Sequence, residues 1–202
     1  MHHVTTRSIA EEHIFRDSGD YAACITIFAS LVDEGFFVCH AFCIMPTHYH
    51  LYCTFANVST AIHKLNRRYA KKFNKRYGRR GHVFDSPFSR TEVTTESHYL
   101  ELPRYIALNP RDYETWPYSS YPGLIGKREP FSFVDPSPII DALEASSRSG
   151  PTSTRAGRLK TRTWFRLRRQ PGSMKPRAYR VRPAASRGRC RRSHPGSRGR
   201  YG

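Results

Sequence analysis

The spacing of apolar residues changes repeatedly along the chain, and each change marks an element. Residues 3–7 read as a short strand, followed by a loop and a helix over 17–34 in which Tyr21, Ile25, Phe28 and Val32 recur at helical spacing. Asp17 or Ser18 can cap its start, and Gly35 ends it. Residues 36–45 are rich in β-branched and aromatic side chains, Pro46 and Thr47 make a tight connection, and 48–55 alternate strictly. In that second strand Tyr49, Leu51, Cys53 and Phe55 form an apolar face, while His48, His50, Tyr52 and Thr54 form the polar, wetter one.

A helix follows over 57–77, with Val58, Ile62, Leu65, Tyr69, Phe73 and Tyr77 on one stripe and Gly78 as its stop. Residues 83–94 read as a strand interrupted by Pro87, and 97–108 as a last helix. The order β-α-β-β-α-β predicts an α+β, ferredoxin-like antiparallel sheet with an additional C-terminal helix. Many RNA-binding modules and enzymes share that arrangement, so it does not by itself assign a function.

Charge divides the chain in two. Of 34 Lys and Arg, 18 lie after residue 145, where there is no Asp or Glu; residues 1–145 carry 16 of each sign. The formal charge of +18 therefore belongs to residues 146–202, a stretch rich in Arg, Gly, Pro and Ser that reads as a disordered basic tail behind a domain over 1–145. Such a polycation binds nucleic acid non-specifically, and an extension without function would have the same composition. Within the domain, 35–84 contains no acidic residue, and the helix over 57–77 carries Lys64, Arg67, Arg68, Lys71, Lys72, Lys75 and Arg76. A helix with no counter-charge of its own favours an anionic partner. Cys24, Cys39, Cys43, Cys53 and Cys190 are an odd number without framework spacing, and the start of the chain has no apolar targeting core. The expectation is a cytoplasmic protein with reduced thiols.

The candidate chemistry centres on His48-Tyr49-His50. Residues two apart in a strand share a face, about 6.6 Å apart at the backbone, so both imidazoles can reach one divalent metal. That spacing also describes two ordinary surface histidines. The last helix adds Tyr105 and Asn109, four residues apart and thus one above the other on a helical face. A metal that polarises a phosphate, beside a phenolate that attacks phosphorus, is the equipment of phosphodiester cleavage with a covalent intermediate. A helical tyrosine packed on a sheet and an Asn before Pro are equally ordinary structural features.

Several motifs in order carry a resemblance: His3-Val4-Thr5-Thr6-Arg7, Ile14-Phe15, Met45-Pro46-Thr47-His48-Tyr49-His50, Leu65-Asn66-Arg67-Arg68-Tyr69-Ala70, Gly81-His82-Val83-Phe84 and Arg104-Tyr105-Ile106-Ala107-Leu108-Asn109-Pro110. Together they resemble the REP-associated tyrosine transposases, of the single-tyrosine HUH transposase family, over about 3–121 with a weaker echo to residue 142. The resemblance implies a ferredoxin-like domain that takes part in DNA transposition. It would act on single-stranded or hairpin DNA as a monomer or homodimer, associate with the nucleoid when bound, and cleave and rejoin one strand with Mg²⁺ or Mn²⁺. It implies that His48, His50 and Asn109 hold the metal and that Tyr105 is the nucleophile, forming a 5′-phosphotyrosine and freeing a 3′-hydroxyl. Arg7, Lys64, Arg67, Arg68, Lys71, Lys72 and Lys75 would contact DNA. The chain departs from the pattern in three places. Pro103 lies two residues before Tyr105 and costs a helix interior about 3 kcal/mol unless it opens a new segment. Asp85-Ser86-Pro87-Phe88 stands where a Gly-Arg-aromatic stretch is usual, and the segment from Pro110 to Trp116 is short.

Two other readings remain. A zinc site from Cys39, Cys43, His48, His50 and Cys53 fails on reach, because Cys39 and Cys43 on one strand are about 13 Å apart, against Zn–S bonds of about 2.3 Å. A non-catalytic nucleic-acid-binding domain of the same fold, or a decayed transposase that binds without cutting, would stack bases on exposed aromatic side chains such as Tyr52.

Overall fold

The computed structural model describes residues 1–148; the basic tail beyond that point, with Cys190, lies outside the described residues. The elements are β1 (His2–Arg7), α1 (Ser18–Asp33), β2 (Phe37–Met45), β3 (His48–Phe55), α2 (Val58–Tyr77), β4 (Ser89–Glu92), α3 (Glu96–Ala107), a single turn α4 (Tyr121–Leu124) and α5 (Ser137–Arg148). Local chemistry sets most ends. The Asp17 carboxylate accepts from the N–H groups of Gly19 and Asp20, and the Asn57 carboxamide accepts from that of Thr60. Gly78 closes α2 at φ +61°, a left-handed conformation that strains any residue with a Cβ.

The strand expected over 83–94 is reduced to Ser89–Glu92. Phe84 makes only an isolated bridge to Ser8, and Pro87, which has no N–H to donate, separates it from the paired segment. Pro103 does not break α3, which runs unbroken from Glu96 to Ala107. The ring is buried and faces a small apolar cavity that Phe42, Ile106 and Ile139 also line, so its packing offsets the hydrogen bond the helix forgoes.

The sheet has the order β2-β3-β1-β4 with every pairing antiparallel, as a β-α-β-β-α-β ferredoxin-like chain requires. Helices α1 and α2 pack on one face, where Phe28, Leu31, Ile62, Leu65 and Phe73 meet Val4, Phe42, Tyr49 and Leu51. The opposite face is not the wet one expected from strand parity. There Ile106 of α3 and Ile139 of α5 pack against Ala41, Cys43 and Tyr52, leaving Tyr52 0 % and His50 1 % exposed. A bulge at His40 makes this two-sided packing possible. It shifts the phase of β2, so that Cys39 faces the α1/α2 core while Ala41 and Cys43 face α3. Its ring is held at both nitrogens, by the Asp135 carbonyl at 2.9 Å and Thr54 Oγ1 at 2.9 Å.

The outer edge of β2 is occupied by later parts of the same chain. Ile44 donates to the Tyr118 carbonyl, Ser120 to that of Phe42, and Asp135 to that of Cys39. These bonds occupy edge groups that would otherwise template a second chain. The packing of α2 makes a simple test. Tyr69 is 1 % exposed and donates its hydroxyl to the Ile14 carbonyl at 2.6 Å. Tyr69→Phe should lower stability by about 1–2 kcal/mol, read as a lower urea midpoint at unchanged slope, whereas an unchanged midpoint would show the bond contributes nothing.

Candidate active site

The pairing of β1 with β3 assembles the site. Thr5 lies opposite His50, Arg7 opposite His48 and His3 opposite Tyr52, which puts His3, Thr5 and Arg7 on the face that bears the two histidines. Helix α3 crosses that face. The Tyr105 ring stands edge-on to His50 at 5.6 Å between centroids and to His3 at 6.1 Å, while His48 and His50 are 5.0 Å apart. Tyr105 is 38 % exposed, so its phenol lies at the open side of a pocket whose floor is the buried His50 imidazole, with His3 and His48 half-buried beside it. One turn on, the Asn109 side-chain N–H₂ donates to the Tyr105 and Ile106 carbonyls at 2.9 and 3.4 Å. Those bonds cap the end of α3 and leave the amide oxygen uncommitted to it.

Burial keeps the imidazoles neutral. Desolvation holds His3 and His48 at about 4, with the Arg7 guanidinium adding to the effect on His48. His50 is held well below the ordinary histidine range, first by desolvation and then by His3, His48 and Arg7. Asn109 is close enough to oppose that drop, yet Nε2 of His50 makes no hydrogen bond of ordinary geometry and is buried without a partner. Nδ1 of His48 is paired with Thr47 Oγ1 at 3.0 Å, leaving its Nε2 available. Neutral imidazoles are the metal-binding form, and a buried unpartnered nitrogen suits a missing ligand. Nε2 of His48, Nε2 of His50 and the amide oxygen of Asn109 therefore fit a divalent ion. Among the described residues no three His, Cys, Asp or Glu side chains form a metal-binding group, so such an ion would rest on two imidazoles and a carboxamide. Cys39 and Cys53 lie on the opposite face, in the α1/α2 core, away from Cys43 and the histidines.

The basic residues divide into two sets. Lys64 and Arg68 are engaged by Glu34 at the C-terminal end of α1, Arg68 through two bonds of 2.6 and 2.9 Å, and Arg76 is held by Asp17 and Asp20 at the N-terminal end of the same helix. The counter-charges absent from α2 thus come from its neighbour. Arg67, Lys71, Lys72 and Lys75 are exposed and make no ion pair among the described residues. They belong to α2, in the layer on the face of the sheet opposite the histidines. Arg7, exposed beside His48, is the cation on the site's own face. His3 and Thr5 escaped the sequence reading as site residues. Their shared parity was visible, but the register that sets them against His50 was not.

A model of the family described as transposase, IS200-like, matches residues 1–109, more than half of the chain. This chain belongs to the IS200-like transposase family. The matched span ends at Asn109 and so contains β1, β3 and α3, the three elements that build the pocket. Among solved structures, one described as the REP-associated tyrosine transposase bound to a REP hairpin superposes with a TM-score of 0.51 at 16 % identity, covering 65 % of this chain and 82 % of that one. That likeness extends to the fold. No match is found among curated proteins. As an IS200-like transposase the chain has a transposase role, and none of its described helices is long and apolar enough to cross a membrane.

The neutral histidines, His50 buried and His3 and His48 half-buried, set a pH dependence for the metal-free protein. The unfolded rings take up protons near 6.5, the folded His3 and His48 only near 4, and His50 is lowered in the same direction, so the unfolded state binds more protons below 6.5. The stabilisation is complete above pH 6.5 and is lost as pH falls toward 4; a shift of that size amounts to ~3 kcal/mol for His3 and for His48. Urea midpoints in EDTA should fall between pH 7 and pH 5. Glu34, held at about 2 chiefly by Arg68, then Lys64 and Ser30, contributes a loss only below its ordinary 4.5. A flat profile from pH 7 to 5 would show that the rings titrate normally.

Proposed function

We propose that this chain cleaves and rejoins one strand of single-stranded or hairpin DNA through a covalent link to Tyr105. The observation that carries the reading is the juxtaposition of an exposed phenol with a buried, unpartnered imidazole nitrogen: Tyr105 stands 5.6 Å from His50 between ring centroids. Nε2 of His48, Nε2 of His50 and Oδ1 of Asn109 would hold Mg²⁺ or Mn²⁺, which when bound neutralises charge on the scissile phosphate. The Tyr105 oxygen loses its proton and bonds to phosphorus, the P–O3′ bond breaks, and the 3′ oxygen leaves as a hydroxyl after taking up a proton. Attack by a 3′-hydroxyl on the 5′-phosphotyrosine reverses the step and rejoins DNA. Helix α3 keeps the phenol at the pocket mouth, His48 and His50 stay unprotonated, and Arg7 lies where it can attract the phosphate. The superposed transposase bound to a REP hairpin supports a hairpin as substrate.

Labelled single-stranded hairpin DNA incubated with the protein and Mn²⁺ should yield an adduct that survives denaturation. The adduct should vanish in Tyr105→Phe and be much reduced in His48→Ala. Hairpin binding without any adduct across varied sequences would replace this reading with a binding-only protein.

Arg67, Lys71, Lys72 and Lys75 we assign to flanking phosphates, with Lys64 and Arg68 contributing less because Glu34 already neutralises them. Lys71→Ala should reduce the slope of log affinity against log salt by about 0.7–0.9, measured by fluorescence anisotropy, and Arg68→Ala should reduce it by less. The opposite order would place the DNA track along Glu34 instead.

A further inference from the structure

Strand β1 brings two polar side chains to the pocket that the cleavage chemistry leaves unused. Nε2 of His3 lies 3.1 Å from Nδ1 of His50, and Thr5 Oγ1 lies 3.0 Å from the same His50 nitrogen and 3.3 Å from Nε2 of His3. The two ring planes differ by 17°, with centroids 5.3 Å apart. That separation exceeds the N···N distance by two ring radii, so the imidazoles meet edge to edge, nearly coplanar, in the geometry of a hydrogen bond between nitrogens.

A pair of neutral imidazoles joined in this way shares one hydrogen, and its location decides what the far nitrogen of His50 can do. With the hydrogen on His3, His50 would accept at Nδ1 and carry its own proton on Nε2, which makes no hydrogen bond of ordinary geometry and, once protonated, cannot bind a metal. With the hydrogen on His50 Nδ1, the ring donates toward His3 and Thr5, and Nε2 is a bare lone pair. The Thr5 hydroxyl serves either arrangement, accepting from whichever nitrogen carries the hydrogen and donating to the other, so it holds the two rings in register. Nδ1 of His3 is not among the buried unpartnered nitrogens, so it can carry that ring's hydrogen.

We propose that His3, with Thr5, is the positioning pair for His50: it accepts the Nδ1–H, fixes the ring plane, and keeps Nε2 deprotonated as a metal donor. The proposal rests on the reading of His48, His50 and Asn109 as a divalent-ion site. Outer hydrogen-bond partners of this sort orient metal-binding histidines and raise their basicity, and removing one costs about 10- to 100-fold in metal affinity. Here the partner is an imidazole on the neighbouring strand, delivered by the register that sets Thr5 against His50.

Long-range ¹⁵N–¹H spectra of the metal-free full-length chain should show His50 protonated at Nδ1 and bare at Nε2. A proton on Nε2 overturns the proposal, and this readout needs no variant, metal or DNA. Mn²⁺ affinity, measured by calorimetry on chains whose urea midpoints confirm folding, should fall about 10- to 100-fold in His3→Phe. It should return to within a few-fold of wild type in His3→Gln, whose amide oxygen can accept the same hydrogen. Hairpin binding in EDTA should be alike in all three. Equal Mn²⁺ affinity in wild type and His3→Phe overturns the assignment. A missing covalent adduct would count against the cleavage reading alone, since tautomer and metal affinity are read without DNA.

Discussion

The pocket depends on the register between β1 and β3. Because side chains in a strand alternate, a slip of one residue would turn His3, Thr5 and Arg7 into the α1/α2 core and bring Val4 and Thr6 out beneath α3. Two features hold the register. Val4 and Leu51, paired across the strands, are fully buried in the α1/α2 core. The turn between β2 and β3 is also pinned from outside: the Pro46 carbonyl accepts from the N–H groups of Ile14 and Phe15, and the Thr47 carbonyl from that of Ser8. The turn that launches His48 is thus tied to the segment that leaves β1, and both strands are fixed by one set of bonds.

Covering the histidine face has opposing effects. Packing α3 and α5 against Ala41, Cys43 and Tyr52 buries apolar surface, but it also buries His50 with one nitrogen unsatisfied, a defect of about 1–3 kcal/mol. A fold that served only stability would replace that ring with a hydrocarbon. Retaining it keeps a neutral, dehydrated donor in place before any ligand arrives, while Tyr105 stays at the surface. On the cleavage reading proposed above, this division suits a bulky, charged strand: DNA cannot enter the core, so the phenol would meet it outside.

Local periodicity made β1, β2, β3, α1, α2 and α3 legible to within a residue or two; strand parity placed His48 with His50, and helical spacing placed Tyr105 with Asn109. What escaped was non-local. The face carrying His50 and Tyr52 reads as wet because half its residues are polar; its cover comes from α3 and from α5, a helix that follows a long irregular segment and announces itself weakly. The counter-charges of Lys64 and Arg68 sit on Glu34, about thirty positions earlier, so counting charges within α2 overstated its free cations. Pro103 was judged by the physics of an isolated helix, whereas the cavity shared with Phe42 and Ile139 gives its ring a place to pack. The bulge at His40 left no mark in the alternation of apolar residues, all of which suit either face.

The end of α3 concentrates three properties in one turn. Its last carbonyls carry the negative end of the helix dipole, which favours a nearby cation by about 0.3–1 kcal/mol. Asn109 caps the carbonyls of Tyr105 and Ile106 through its N–H₂ group, so its oxygen is the atom left for a ligand. Pro110 follows and cannot extend the helix. The spacing from Tyr105 to Asn109 is therefore rigid: one residue inserted between them would rotate the two apart by about 100° and separate the phenol from the carboxamide. Beyond Pro110 no such constraint acts, because Tyr118 and Ser120 need only reach the edge of β2. The shortness of the Pro110–Trp116 connection thus alters how the chain travels to that edge and leaves the geometry of the pocket to α3.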